Sequence, residues 1–215
     1  MNRYAVFGAS GCGRSILPLL RTQLIKQKSR WDLVFVDDNP PAASLNGHRV
    51  LTYQQWLTEP AETRHISLAI ANSAIRERLA LRCHADRVCF VETRAANVVE
   101  LDNVVIGEGA ILCPFVTLTS NISIGRQFHA NLYSYVEHDC VIGNFVTFAP
   151  GVKCNGNVHI QDHAYIGAGA VIKQGSPNSP LVIGRGAIVG MGAVVTKDVP
   201  PGVTVIGNPA VPLVK

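Results

Sequence analysis

From Ile106 onward an aliphatic or small residue returns at every sixth position: Ile106, Leu112, Leu118, Ile124, Ala130, Val136, Ile142, Phe148, Cys154, Ile160, Ile166 and Ile172. A second series lies four residues further on, from Ala110 and Val116 through Cys140 and Val152 to Ala170, and neither series contains a charged residue. Two buried positions in six accommodate one short strand and one corner. Three such hexads close a triangular turn whose side chains stack on those of the turn before. Hairpin strands alternate with a period of two and do not sustain a period of six through eleven uninterrupted steps. Ile106 to Val195 therefore reads as a parallel β-helix.

The period breaks once. Between Ile172 and Ile183 the spacing is eleven residues instead of twelve, across Gln174-Gly175-Ser176-Pro177-Asn178-Ser179-Pro180. Gly and Pro at that density mark a loop pushed out of a corner. The register resumes at Ile183, Val189 and Val195. Pro200-Pro201-Gly202 is expected to stop the coil, and Ile206 to Ala210 to fold back as a short terminal segment.

The first 90 residues lack this period and alternate strand with helix. Strands are expected at Tyr4 to Phe7, Leu33 to Val36, Ile66 to Ala71 and Val88 to Val91, with helices at Arg14 to Lys26, Tyr53 to Leu57 and Ile75 to Cys83. This is half of a doubly wound α/β sheet, too small for a complete dinucleotide dehydrogenase domain, so an NAD-dependent oxidoreductase is a poor fit. The expected division is an α/β domain over 1–92 and a coil domain over 93–215.

Bulk properties narrow the function classes. The net charge of +4 suits an anionic partner, yet Lys and Arg are scattered. That distribution favours a phosphorylated small molecule over nucleic acid. No apolar stretch approaches the roughly 18 residues of a membrane span, and Met1 runs straight into strand-like residues, which predicts a cytoplasmic protein without a membrane association. The six cysteines form no CxxC pair and read as reduced thiols, with no metal site expected.

Two places carry chemistry. Gly8-Ala9-Ser10-Gly11-Cys12-Gly13 joins the first strand to the first helix, where free backbone N–H groups seat a phosphate; a tight turn without a ligand is the competing reading. Asp37 and Asp38 follow the second strand, where carboxylates bind a ribose hydroxyl or a base N–H, or simply make a polar turn. In the coil, His129, His138, His159 and His163 all fall outside the two buried series and are expected to point outward or sit at corners. His138 stands apart because Asp139 follows it: a carboxylate beside an imidazole fixes its tautomer and stabilises the imidazolium of a general base. His163, preceded by Asp162, is the rival.

At Val136-Glu137-His138-Asp139-Cys140-Val141-Ile142-Gly143 the chain resembles the nucleotide-sugar N-acetyltransferases of the bacillosamine and perosamine kind, and the related sialic-acid O-acetyltransferases. The similarity spans nearly the whole chain. It takes in the Gly8 to Gly13 loop, Asp37-Asp38, Ala69 to Asn72 with Arg76, Asn131, Lys153 to Val158, Ile166 to Gly169 and Gly207 to Ala210. The resemblance implies a left-handed β-helix in a homotrimer, with active sites between subunits, acetyl-CoA along the coil and no metal. It makes His138 the base, Asp139 its orienting carboxylate and Asn131 a hydrogen-bonding partner. It places the Gly156 N–H on the thioester oxygen and the pantetheine along Gly167 and Ala168. The nucleotide sugar would meet Gly8, Ser10, Gly11, Cys12, Gly13, Asp37, Asp38, Ala71, Asn72 and Arg76. Cys12 stands where the family usually has His, and Ala71 where it usually has Gly; both changes bear on which nucleotide sugar is accepted.

The implied reaction is acetyl transfer from acetyl-CoA to the amine of a nucleotide-linked 4-amino-4,6-dideoxy sugar, with a uridine nucleotide favoured and guanosine the alternative. O-acetylation of a sugar of the sialic-acid type is the second enzymatic reading. A non-catalytic nucleotide-sugar-binding trimer is the reading from another class.

Overall fold

The computed structural model describes residues 1–213 and divides into two compact units, the first ending at Arg94 and the second starting at Ala95.

The first unit is built on β1 (Asn2–Phe7), α1 (Gly11–Ile25), β2 (Trp31–Val36), β3 (Ser44–Leu45), β4 (His48–Leu51), α2 (Tyr53–Thr58), β5 (Arg64–Leu68), α3 (Ser73–Ala85) and β6 (Cys89–Phe90). The sheet runs β3-β4-β2-β1-β5-β6. All its pairings are parallel except the β3–β4 hairpin. The chain winds outward from β1 through β2 and β4, then returns to the other side of β1 with β5. That reversal makes the carboxyl end of β1 the switch point of the sheet, the usual ligand position of such folds. Helix α1 starts earlier than the sequence suggested, because the second half of the Gly-rich loop is already its first turn: Arg14 N–H donates to Ser10 O at 3.0 Å. Its buried face is Ile16, Leu17, Leu20 and Leu24, a helical stripe set against the sheet. The β3–β4 hairpin went unread in the sequence; it turns on Asn46-Gly47, both at positive φ.

The second unit is the left-handed parallel β-helix. Short strands stack in three faces, and up to Ile172 paired residues are 18 positions apart, as Leu118 with Val136 and Val136 with Cys154; across the 174–180 loop the separation widens to 23, as Ile172 with Val195. The inward stack through Leu118, Val136, Cys154, Ile172 and Val195 is buried throughout. Most corners place one residue in the left-handed backbone region. One column of corners is Asn103, Asn121, Asp139 and Asn157, with φ of 57°, 58°, 59° and 55°. Asn, Asp and Gly take this conformation readily, whereas bulkier residues pay about 1–2 kcal/mol. Where Phe and Tyr occupy corners they stack: Phe115 on Tyr133 at 4.8 Å, and Phe145 on His163 at 5.3 Å.

Three expectations are corrected. The coil begins before Ile106, since Val99 already pairs with Thr117. It also continues past Pro200-Pro201-Gly202: Thr204–Ile206 pairs in parallel with the Ile188–Val189 strand before Val211–Pro212 folds back antiparallel. The prolines do not stop it because they lie at a corner, outside the strand ladder, where a missing N–H costs nothing. Finally, His129 is not on the surface. It is only 3% exposed, in a row with buried Ile111 and Thr147, and the row reaches solvent only further along, at Tyr165 and Ile188.

The loop over 174–180 is a tight turn closed by reciprocal backbone bonds between Ser176 and Ser179. Its base is tied to one corner: Gly175 N–H donates to Gly156 O and Leu181 N–H to Asn157 O, at 3.0 and 3.1 Å. Among the described residues no helix is long and apolar enough to cross a membrane.

Candidate active site

In the coil, the strand Tyr135–Val136 leads into the corner that presents His138 and Asp139. The left-handed turn at Asp139 folds its carboxylate back beside the preceding residue, so that His138 Nδ1 lies 2.7 Å from Asp139 Oδ2. Both side chains are about half exposed. The hydrogen bond to Asp139 raises the His138 imidazole above its ordinary value of 6.5, and the same contact, helped by Asn121, lowers the Asp139 carboxyl. With Nδ1 committed to the carboxylate as donor, Nε2 is left to accept a proton.

Gly156 sits one coil further on and forms the floor beneath the imidazole. A Cβ on Gly156 would stand 2.5 Å from His138 Cε1 and 2.6 Å from Nε2, so only glycine allows the ring this position. Its neighbours Asn155 and Asn157 spend their N–H groups on Ile172 O and His138 O. The Gly156 N–H has no partner among the described residues. A free amide beside an imidazole can receive a developing oxyanion.

The other predicted coil residues lie apart from this pair. Asn131 is occupied by its own surroundings, its amide donating to Phe148 O at 2.8 Å and its Oδ1 facing the Cys113 thiol. Gly167 is buried and required by packing, since a Cβ there would stand 2.6 Å from Met191 N. Ala168 is exposed. His163, the rival base, stacks on Phe145, while the Asp162 carboxylate accepts from Asn144 N–H and pairs with Arg185. That pairing commits Asp162 to structure, whereas the Asp139 carboxylate is turned to His138.

In the first unit, a cavity of about 490 Å³ lies over the carboxyl end of β1, lined by Ala9, Ser10, Arg14, Asp37, Asn39, Pro41 and Leu45. Ser10 occupies the N-cap of α1 without making a side-chain cap, so its hydroxyl remains available. Gly8 adopts φ +109° against Ala69 O, and Gly13 packs so closely on Gly8 O that a Cβ would stand 1.7 Å from it. Gly11 faces open space at the helix start. These are the roles of a phosphate-binding turn: one glycine for the bend, one for ligand approach and one for helix packing. Asp37 braces the loop as well as lining the cavity, because its two oxygens accept from Ala9 N–H at 2.9 Å and Asn39 N–H at 3.0 Å.

Several predicted residues act structurally here. Asp38 accepts from Tyr53 N–H and pairs with Arg82 at 2.6 Å, and the Arg82 guanidinium lies over the Tyr53 ring. Asn72 caps α3 through Ile75 N–H. Arg76 is fully buried and donates to Ile70 O and Ala71 O, which shapes the loop after β5; burial lowers its guanidinium to about 10. Cys12 is half buried beside Arg76, and burial pushes its thiol up. Arg14, Asn39, Pro41 and Leu45 were not foreseen. Arg14 had a signal, being a cation one residue past the Gly-rich loop, in the turn that faces a phosphate.

A His–carboxylate pair on a left-handed β-helix, joined to an α/β unit with a phosphate-type loop, defines the hexapeptide-repeat acyltransferases that act on nucleotide-linked sugars. The comparisons agree. The family model for the PglD N-terminal domain matches residues 3–83. The chain is 54% identical to the GDP-perosamine N-acetyltransferase of Escherichia coli O157:H7 over 98% of its own length and 96% of that protein. Among solved structures, WeeI from Acinetobacter baumannii AYE superposes with a TM-score of 0.96 at 56% identity, covering 99% of this chain and 100% of that one. The acetyltransferase domain of PglB from Neisseria gonorrhoeae FA1090, in complex with acetyl coenzyme A, gives 0.84 at 27% identity and 98% coverage of both. The chain belongs to the nucleotide-sugar N-acetyltransferase family of the bacillosamine and perosamine type, an enzyme family with acetyl-CoA as co-substrate.

Proposed function

We propose that this protein transfers the acetyl group of acetyl-CoA to the amine of GDP-perosamine, a guanosine-linked 4-amino-4,6-dideoxy sugar. The observation that carries the reading is the His138–Asp139 pair set over Gly156, with one imidazole nitrogen not used by the carboxylate and the Gly156 N–H without a partner among the described residues. The 54% identity across nearly the full length of a GDP-perosamine enzyme supports guanosine, and the uridine preference drawn from sequence gives way to it.

In this reading the neutral amine attacks the thioester carbonyl and a C–N bond forms. His138 Nε2 takes the amine proton, Asp139 stabilises the imidazolium, and the Gly156 N–H meets the oxyanion. When the C–S bond breaks, the imidazolium returns the proton to the departing thiolate. The cavity at Ser10, Arg14 and Asp37 receives the nucleotide, with the start of α1 and Arg14 as its diphosphate contacts. Gly167 and Ala168 mark the path of the pantetheine. Asn131, whose contacts within the chain lead away from His138, contributes from a neighbouring copy in a homotrimer.

The test is direct. Incubation with GDP-perosamine and acetyl-CoA yields a product heavier by one acetyl group that survives mild alkali, as an amide does and an ester does not. His138→Ala lowers turnover by roughly 10²–10⁴ while acetyl-CoA still binds. Near-normal turnover in that variant, or an alkali-labile product, overturns the proposal. GDP raises the melting temperature more than UDP at equal concentration.

A further inference from the structure

The corner column carrying Asp139 is linked through its side chains as well as its backbone. Asn103 Nδ2 lies 3.0 Å from Asn121 Oδ1, Asn121 Nδ2 lies 3.2 Å from Asp139 Oδ1, and Asp139 Oδ2 lies 2.7 Å from His138 Nδ1. Chemistry dictates the direction of this chain. An ionised carboxylate only accepts, so Asn121 must turn its NH2 group toward Asp139 and its oxygen toward Asn103, which must then donate. No other arrangement of the two amides satisfies the three contacts.

An exposed carboxylate held by one partner rotates about its last side-chain bond. Held at both oxygens it has one orientation, with Oδ2 toward the imidazole. We infer that Asn121 is a positioning residue for acetyl transfer, fixing the Asp139 carboxylate that orients His138. This rests on the proposed acetyl-transfer reading and assigns Asn121 no contact with either substrate. The geometry is built into the coil, because residues 18 apart at a left-handed corner are stacked neighbours.

The Asn121 hydrogen bond also helps lower the Asp139 carboxyl. Its removal makes the carboxylate more basic, strengthens its pull on the His138 proton and moves the acidic limb of activity to higher pH. The groups acting on His138 are Asp139, Glu137 and the Cys140 thiol, all on its own corner. Among the described residues, the neighbouring corners bring neutral Asn121, Gly156 and Asn157 against the pair.

Two variants and one reference test this on the full-length protein. Asn121→Gly deletes the side chain where glycine suits the backbone. Asn121→Asp keeps the shape but replaces the donor with a carboxylate. In both, kcat should fall by about tenfold or more with KM for each substrate little changed, and the acidic limb should move up, further for Asn121→Asp. A role confined to stability would lower the melting temperature without moving that limb. The reference is Asp139→Asn. If it loses activity while both Asn121 variants keep the wild-type kcat and pH profile, the inference fails and the reading of the site stands. If Asp139→Asn is itself fully active, the reading fails and the inference with it.

Discussion

Replacing Gly156 by alanine probes the site with a single methyl group. The added Cβ would stand 2.5 Å from His138 Cε1, a shortfall of about 0.9 Å against the 3.4 Å at which ordinary contact begins. Gly156 does not have a left-handed backbone, so alanine is tolerated there and the imidazole must give way. A retreat of that size stretches the 2.7 Å His138–Asp139 bond to about 3.6 Å, beyond hydrogen-bonding range. A misplacement near 1 Å costs a reaction on the order of 10²-fold, or about 2.7 kcal/mol of transition-state stabilisation. The half-exposed ring can swing into solvent, so the melting temperature should hardly move. The backbone N–H is retained, which separates loss of the imidazole position from loss of the proposed oxyanion donor. The assay is steady-state release of the CoA thiol, with calorimetric titration of acetyl-CoA to show that the thioester still binds. A Gly156→Ala enzyme with wild-type kcat and pH profile would refute the claim that this glycine seats the histidine.

Asp139→Asn should lower the plateau rate and move the acidic limb to lower pH: as the proposed base His138 works when neutral, Asp139 raises its pKa, and removing that influence brings the value back down. The sign is checked by the pH dependence of kcat with the same amine acceptor in both enzymes. Gly13→Ala puts a methyl 1.7 Å from Gly8 O and 2.8 Å from Gly8 C, backbone atoms rather than a flexible side chain, and should destabilise the first unit by more than about 4 kcal/mol, read in denaturant titration. Phe128→Ala, in the coil core edge-to-face with Phe148 at 5.2 Å, should cost about 3–5 kcal/mol in denaturant titration of the second unit.

The coil was legible because its signal repeats. Any single hexad such as Leu118-Thr119-Ser120-Asn121-Ile122-Ser123 is ambiguous, but the phase of Leu118, Val136, Cys154 and Ile172 decides which side faces inward. The left-handed corners were harder to see. Asn103, Asn121, Asp139 and Asn157 carry the expected small polar residues, but Phe115, Tyr133, Phe145 and His163 occupy equivalent corners, where stacking between levels offsets the backbone cost. A turn of three hexads sets Asn121 and Asp139 at the same corner of successive turns, but the corner's backbone conformation, which turns their side chains toward each other, is not written in the period. In the first unit, the Gly8 to Gly13 loop announced a crevice. Local sequence could not separate Asp37, which lines it, from Asp38, which turns to Tyr53 and Arg82. The Asn46-Gly47 hairpin carried a plain turn signal, but its two-residue strand Ser44–Leu45 is too short to show alternation.

The corner column has a meaning for how such a site can arise. Its backbone geometry admits a small alphabet, chiefly Asn, Asp and Gly, and three of the four positions in the column of Asn103, Asn121, Asp139 and Asn157 hold the amide. Asp139 differs from its neighbours by the exchange of an NH2 group for an oxygen, a change the corner accommodates without altering its shape. The scaffold thus offers equivalent niches up and down its axis, any of which can gain a negative charge by one conservative exchange. Beside His138, that exchange sets a carboxylate against an imidazole.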